Sequence, residues 1–105
     1  MIAGFIVGAG EAKDIVVRAV GTNDFKPDTL LDLYNGDGEL IASNDDWQQD
    51  ARAADVQRVG LAPREKESAL FRSLMPGAYT GVIDIRGAFG ALALIEVYDV
   101  SGQGD

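Results

Sequence analysis

Three consecutive oxygen-bearing side chains, Asn44-Asp45-Asp46, are the residues of this chain that could best hold a ligand. Carboxylate and amide oxygens suit a hard cation such as calcium, and loop carbonyls or the nearby Asp24 and Asp28 could complete the ligand set. A structural role is the alternative, because Asn and Asp at a strand end also satisfy loose backbone N–H groups and cap a following helix. The sequence favours the structural role, and we expect no cofactor unless calcium binds here.

A second oxygen-rich stretch, Asn35-Gly36-Asp37-Gly38-Glu39, faintly resembles a calcium loop. Its spacing departs from that of an EF-hand after the third position, and the glutamate of the twelfth position is absent. Asn-Gly and Asp-Gly pairs tolerate positive φ, so this stretch predicts a β-hairpin with a type I′ turn instead.

Two aromatic residues, Trp47 and Tyr79, are candidates for a platform on which a sugar ring stacks. The chain has one Trp, three Tyr and four Phe, and their spacing shows no planar series on one surface. We therefore expect Trp47 to plug one end of the fold and Tyr79 to make a corner-type hydrogen bond to the backbone. The sugar platform is kept as the alternative.

The chain lacks both cysteine and histidine, which removes several classes of chemistry. Disulfides, thiolate nucleophiles, Ser-His-Asp catalysis and the usual transition-metal ligands all need one of these residues. Asp45 and Asp46 are a carboxylate pair, but adjacent residues on an extended segment rarely converge on one substrate. The sequence predicts that the chain is not an enzyme.

Acidic residues outnumber basic ones by 17 to 9, which gives a formal net charge of -8. This charge opposes binding to nucleic acid and to anionic lipid. No segment approaches the roughly 20 apolar residues needed to span a bilayer, and the first residues lack the basic region of a signal peptide. We expect a soluble chain with neither nucleic-acid nor membrane partners.

Alternating apolar and polar residues, interrupted by turn residues, predict about seven β-strands. The predicted strands are Ile2 to Val7, Lys13 to Val20, Thr29 to Tyr34, Glu39 to Ser43, Lys66 to Leu74, Tyr79 to Ile85 and Ala91 to Val100. This pattern is typical of an antiparallel, jelly-roll-like β-sandwich. We expect a single domain over residues 1–100 and a flexible tail over residues 101–105.

One short helix is predicted directly after Trp47. Asp46 followed three residues later by Gln49 resembles a capping box. Charged residues at helical pair spacing continue the pattern: Arg52, Asp55 and Arg58. Because the apolar stripe of this segment is thin, we expect the helix to lie over a sheet end and not to form a core layer.

The last two predicted strands, within Pro76 to Val100, are long and apolar and are joined by a glycine-bounded turn. They are expected to pair as the central strands of a sheet, and the final strand is expected to be covered on both faces for much of its length. Glu96 is the charged residue within the apolar middle of that strand, and Arg18 is likewise the charged residue within the apolar middle of an earlier strand, Lys13 to Val20. Because an unpartnered buried charge is costly, the sequence predicts an ion pair between them.

Five stretches, in this order, carry a resemblance to a known family: GFIVGAG, DIVVRAVG, LLDLYNGDGELIASNDDW, ALFRSLMPGAYTGVI and GALALIEVYDV. The chain resembles the small β-sandwich repeats of large secreted bacterial proteins, which are related in shape to bacterial pre-peptidase C-terminal (PPC-like) domains. The resemblance covers nearly the whole chain. The chain departs from the family pattern in a short charged loop at Thr22 to Thr29.

This resemblance implies a non-catalytic accessory or structural module of a larger exported bacterial protein, serving spacing, attachment or secretion. It implies a secreted or cell-surface location, with neighbouring domains of the parent protein as partners. A calcium-binding or carbohydrate-binding module is the alternative function. The resemblance also implies that a strand which precedes Ile2 in the family is missing here.

If that strand is missing, the segment from Ile2 to Val7 is an open sheet edge without charge or proline. Because the net charge opposes indiscriminate aggregation, we expect a discrete homo-oligomer, most simply a two-fold dimer. The alternative is a monomer whose edge is covered by the tail, Ser101 to Asp105, or by the helix.

Overall fold

Seven strands make up most of the structure, a computed structural model that describes residues 1–21, 28–63, 67–86 and 93–102. The strands are β1 (Ile2–Val7), β2 (Lys13–Gly21), β3 (Asp28–Tyr34), β4 (Leu40–Asn44), β5 (Ser68–Leu74), β6 (Gly77–Arg86) and β7 (Ala93–Asp99). They agree with the predicted strands to within about two residues at most ends, because each strand has its own alternating pattern.

Two antiparallel sheets contain these strands, a four-stranded sheet in the order β1-β6-β3-β4 and a three-stranded sheet in the order β5-β2-β7. Both sheets contribute to one apolar core, which includes Leu31 and Leu33 from the first sheet and Val17 and Leu70 from the second. In β3 the intervening residues point away from the core, so the strand alternates as predicted. The all-β fold of seven strands is confirmed.

The predicted pairing of the last two long strands is wrong, because β6 and β7 lie in different sheets. Both edges of β6 are occupied, one by β1 and the other by β3, while β7 pairs with β2. β7 is therefore an edge strand, and its residues Leu94 and Val97 remain exposed. It is not covered on both faces, contrary to the sequence prediction.

The predicted short helix after Trp47 is confirmed, but its α-helical part begins later than predicted. A 3₁₀ turn spans Trp47–Gln49 and the α-helix α1 spans Ala53–Arg58. Asp46 precedes the 3₁₀ turn but makes no capping hydrogen bond with its side chain, and the residue that precedes α1 is Arg52. The predicted capping box is therefore wrong. No helix in the described residues is both long and apolar enough to cross a membrane.

The predicted charge spacing of the helix does form contacts. Asp55 accepts hydrogen bonds from Arg52 Nε at 2.6 Å and from an Arg58 terminal nitrogen at 3.0 Å. The hydrogen bond from the Arg52 guanidinium, and after it the one from Arg58, lowers the pKa of Asp55 below its ordinary value. The same contacts tie the start and the end of this short helix together.

The segment 47–62, called here the covering segment, forms a third layer over the outer face of the three-stranded sheet. The buried residues between them, called the second core, are Val16, Val56, Ala69, Phe71 and Val100. The guanidinium of Arg52 lies over the Phe71 ring, 4.4 Å from its centroid. The expectation that the helix lies over a sheet end is wrong. Val56, which was not counted in the thin apolar stripe, is buried against Val16 and Phe71 on the outer face of the sheet.

A buried polar cluster joins the two sheets at one end. The hydroxyl of Ser68 in β5 lies 2.8 Å from the hydroxyl of Thr29 in β3, and its own N–H donates to Thr29 Oγ1 at 3.1 Å. The N–H of Ala69 donates to the side-chain oxygen of Asn44 in β4 at 3.0 Å. We call these contacts the bridging network, because each one connects a strand of one sheet to a strand of the other.

Replacing Ser68 by Ala should destabilise the fold by about 2 kcal/mol, within the range for a buried polar group left unsatisfied. The hydroxyl lies 2.6 Å from the carbonyl oxygen of Thr29 and 2.7 Å from that of Asp45, and both Ser68 and Thr29 are fully buried. Urea denaturation monitored by tryptophan fluorescence measures the change. In the control, Ser43→Ala, only an exposed hydrogen bond to Asp32 is lost, and about 0.5 kcal/mol or less is expected. Equal losses in the two variants would contradict a role for the bridging network.

Candidate functional site

Three carboxylates meet where β3 begins and β4 ends, and we call them the acidic cluster: Asp28, Asp45 and Asp46. Their ligand oxygens all lie within 4.8 Å of one another. Because β3 and β4 are antiparallel neighbours with Leu31 opposite Asn44, the start of one strand and the residues after the other come to the same end of the sheet. Pairing of these strands thus adds a third carboxylate to the two that are adjacent in sequence.

The bridging network holds the backbone of this cluster. The Ser68 hydroxyl contacts the carbonyl oxygen of Asp45, and Asn44 Nδ2 donates to the carbonyl oxygen of Asp46 at 2.8 Å. Both hydrogen bonds come from buried side chains. The two main-chain positions are therefore fixed, while the three carboxylates remain partly accessible to solvent.

Asn44 was predicted as a third ligand beside Asp45 and Asp46, but its side chain is engaged elsewhere; calcium binding by these residues stays a prediction. The Asn44 side chain is buried and engaged at both ends, by the carbonyl of Asp46 and by the N–H of Ala69. As a residue of β4 it points inward with its partner Leu31, whereas the residues after the strand are free to turn outward. Asp24, the other carboxylate considered from the sequence, lies outside the described residues.

Chemically, the acidic cluster is suited to a hard divalent cation. Three carboxylate oxygens at this separation supply part of the six to eight oxygen ligands that calcium takes, and their mutual repulsion falls when a cation binds. Asp28 is the first residue of β3, and Asp45 and Asp46 directly follow β4, so two paired strands of one sheet position the three carboxylates. The cluster offers carboxylate oxygens, the ligand type that a hard cation prefers.

The hairpin after β3 uses its oxygen side chains internally. Asn35 Oδ1 accepts hydrogen bonds from the N–H groups of Asp37 and Glu39, both at 3.0 Å. Gly38 has φ of +80°, but Gly36 does not have a positive φ, so the turn is not the predicted type I′. The β3–β4 pairing shifts register between Leu33 and Tyr34, just before the turn. With this irregularity, the left-handed conformation of Gly38 closes the hairpin without a second left-handed glycine.

The two candidate aromatic residues lie in different layers, so the predicted sugar platform between them is wrong. Tyr79 is buried, stacks on Phe5 with ring centroids 5.5 Å apart and donates its hydroxyl to the carbonyl of Met75 at 2.6 Å. This confirms the corner-type hydrogen bond. Trp47 packs against the second core on the other side of the three-stranded sheet.

Arg18 and Glu96 are direct register partners on β2 and β7, and Arg18 Nε lies 2.6 Å from Glu96 Oε1. The Arg18 guanidinium also donates to the carbonyl of Leu61 in the covering segment at 2.9 Å. The hydroxyl of Tyr98 donates to the same glutamate oxygen at 3.1 Å. The structure brings the two predicted charges together, with 19% and 30% of their side chains exposed.

A second ion pair that involves an arginine of the three-stranded sheet was not predicted from the sequence. Arg72 in β5 contacts Asp50 through two parallel hydrogen bonds of 2.8 and 3.0 Å, and the Asp50 side chain is only 1% exposed. The same criterion that singled out Arg18 could have found it, because Arg72 is also a lone charge inside an apolar strand. Its partner was not predictable, since Asp50 reaches β5 only when the covering segment folds over the sheet.

Comparison with protein-family models, with curated proteins and with solved structures finds no match for this chain. The arrangement of the chain's own residues is therefore the basis for a proposed function.

Replacing Glu96 by Gln should destabilise the fold by about 1–3 kcal/mol, because Arg18 then stays partly buried without a counter-charge. This is less than the loss of about 3–5 kcal/mol expected for a fully buried pair, since both side chains keep some contact with water. Chemical denaturation at neutral pH measures it. The matched control is Glu39→Gln in the exposed hairpin, for which about 0.5 kcal/mol or less is expected. A Glu96→Gln variant as stable as this control would refute a structural role for the pair.

Proposed function

We propose that this chain is a non-catalytic accessory module of a larger exported bacterial protein, and that it acts as a rigid spacer between neighbouring domains. The location and the class of parent protein come from the resemblance to PPC-like repeats. One observation carries the spacer role, namely that the first and last described residues lie at opposite ends of the sandwich.

The strand directions establish this arrangement. Val7 and Gly8, where β1 ends, line the same groove as Asp99, where β7 ends. Met1 lies at the other end of β1, next to Ile83, and six strand residues separate the two ends by about 20 Å. A polypeptide that enters at Met1 and leaves after Asp99 therefore crosses the length of the fold, which is what a spacer in a longer chain requires.

Rigidity supports the same function. The bridging network ties the two sheets to each other, and the buried Arg72–Asp50 pair ties the covering segment to the three-stranded sheet. The Arg18 guanidinium makes a further connection, to the carbonyl of Leu61. These charged and polar groups act between layers of the fold, so the layers are expected to move as one body.

A direct fusion of two copies, Asp105 to Met1, tests the spacer role when both copies carry Ile6→Glu, which places a charge on the exposed β1 edge and so opposes pairing of the two copies through this strand. Small-angle scattering in dilute solution should show a maximum dimension longer than that of one copy by about 30–40 Å, the length of a ten-residue strand with its loops. A fusion of three copies should add the same increment again. Copies that fold back side by side, with little increase in length, would contradict the proposal.

The alternative function is calcium binding, and the convergence of the three carboxylates of the acidic cluster favours it. Asp28 begins β3 whereas Asp45 and Asp46 follow the end of β4, so the cluster forms only in the folded chain. A cation bound there stabilises the folded state, because the unfolded chain has no such arrangement. The net charge of -8 adds a long-range attraction for cations.

Isothermal titration of calcium into chelator-treated protein should give a saturable heat, together with a rise in melting temperature. At a calcium concentration ten times the dissociation constant, the gain is about 1.4 kcal/mol. Asp46→Asn should weaken binding, whereas Asp37→Asn in the exposed hairpin should leave it unchanged. Absence of heat and of a melting shift at millimolar calcium would reject this function and leave the spacer role untouched.

A further inference from the structure

The outermost strand of the four-stranded sheet, β1, has a row of backbone groups that no strand of the described chain uses. Met1 and Ile83 exchange two backbone hydrogen bonds, of 2.8 and 3.1 Å. In an antiparallel ladder such pairs alternate with pairs that exchange none. The register therefore directs the N–H and C=O groups of Ile2, Gly4 and Ile6 away from β6 and toward the open edge.

This edge lacks the usual protection against another strand. β1 has no charged residue and no proline, and the side chains of Ile2 and Ile6 are 71% and 80% exposed. The covering segment lies on the other sheet. Ser101, the start of the tail, accepts a hydrogen bond from the N–H of Asp14 in β2 and not from β1. Among the described residues, neither the helix nor the tail covers this edge.

We propose that β1 pairs with β1 of a second copy of the chain, antiparallel, across a two-fold axis at Gly4. In this register Gly4 faces Gly4, and Ile2 of each copy faces Ile6 of the other. All three pairs fall at the positions whose N–H and C=O groups point outward, so each exchanges two backbone hydrogen bonds. Both four-stranded sheets then continue into one sheet of eight strands.

In this register the side chains of β1 are complementary to those of β1 in the second copy. On the outer face the exposed Ile2 of one copy contacts the exposed Ile6 of the other, and Gly4 at the axis has no side chain to obstruct these contacts. On the inner face, β1 borders a flank groove of about 270 Å³ between the two sheets, lined in part by Phe5, Ile15 and Val97. Ala3 and Phe5 of the second copy lie on that same face beside the groove, where they cover exposed apolar atoms.

The contact area sets the strength of this dimer. A strand of six residues is about 20 Å long, and a flank about 20 Å wide gives on the order of 400 Å² per copy. The total of about 800 Å² is smaller than the roughly 1,200 Å² of standard stable interfaces. We therefore expect a reversible dimer that dissociates in the micromolar range or above, and not an obligate one.

Single cysteines test the register, because the chain has none of its own. A Cβ at Gly4 meets only the carbonyl oxygen of Tyr79 at 3.7 Å, an ordinary contact, so Gly4→Cys should fold. The two Cα atoms at the axis would be about 5.5 Å apart, which a disulfide spans. Gly4→Cys should form a disulfide dimer on mild oxidation.

The neighbouring positions are the controls. Ile2→Cys alone and Ile6→Cys alone should not cross-link, since the two copies of each position lie about 14 Å apart, but a mixture of these two variants should. Cross-linking of Ile2→Cys or Ile6→Cys alone at the rate of Gly4→Cys would overturn the register. Failure of Gly4→Cys to cross-link faster than either would overturn the pairing.

Sedimentation equilibrium over a concentration series tests the dimer without oxidation. Ile6→Glu should weaken association by about tenfold or more, because it places a charge on the paired edge. Leu40→Glu on β4, the opposite edge of the same sheet, is a matched control with a similarly exposed residue and should have little effect. The double variant Ile2→Lys/Ile6→Glu should regain association, since the register places opposite charges face to face.

Each other outcome overturns the proposal. A strictly monomeric mass at high concentration means that the edge is covered by another part of the chain or accepts a different strand. A dimer that Leu40→Glu disrupts and Ile6→Glu does not would place the interface at β4. Larger, open-ended assemblies would exclude a closed two-fold contact.

Discussion

The relative position of the two sheets depends on the bridging network. Thr29, Ser68 and Asn44 are buried polar residues, and each is satisfied only by a group from the other sheet or from the loop after β4. Hydrophobic contact between the sheets has little directional preference, whereas an unsatisfied buried hydroxyl or amide costs free energy comparable to a lost hydrogen bond. A sliding of one sheet over the other would leave several of these groups unsatisfied at once.

The network also makes the two flanks of the sandwich different. On the flank where β4 and β5 meet, side chains of one sheet take the N–H groups of the other sheet's edge strand, so that flank is closed. On the flank formed by β1 and β7, no comparable bridge exists among the described residues, and a groove remains between Phe5 and Val97. The acidic cluster lies at the ends of β3 and β4, on the closed side, and β6 separates these strands from the free backbone edge of β1. A cation at one and a partner strand at the other can therefore bind independently.

Two arginines of the three-stranded sheet connect it to the covering segment. Arg18 extends from the three-stranded sheet to the carbonyl of Leu61, and Arg72 holds the buried carboxylate of Asp50. Both arginines are fixed by several acceptors, which suits the planar guanidinium better than a lysine ammonium. The second core thus has ion pairs at its rim, and the covering segment is held by directional contacts as well as by the burial of Val56.

Local patterns in the sequence were enough to determine the strands, because alternation and turn residues act over a few neighbouring positions. They also determined the contact between Arg18 and Glu96, since two lone charges in apolar strands have few other partners. Strand neighbours were decided only by the tertiary structure. Alternation shows which residues share a face, but the backbone hydrogen bonds of a strand are the same for any partner, so it did not reveal that β6 and β7 lie in different sheets.

The same distinction holds for the acidic cluster. Asp45 and Asp46 could be singled out because they are adjacent and rich in oxygen, but their chemistry depends on a third carboxylate that is distant in sequence. Asp28 joins them only because β3 and β4 pair in one register, and Asn44 is excluded because that register turns it inward. The sequence by itself thus determined the residue types at this site, while the tertiary structure decided which of them meet, because side-chain direction follows from strand pairing.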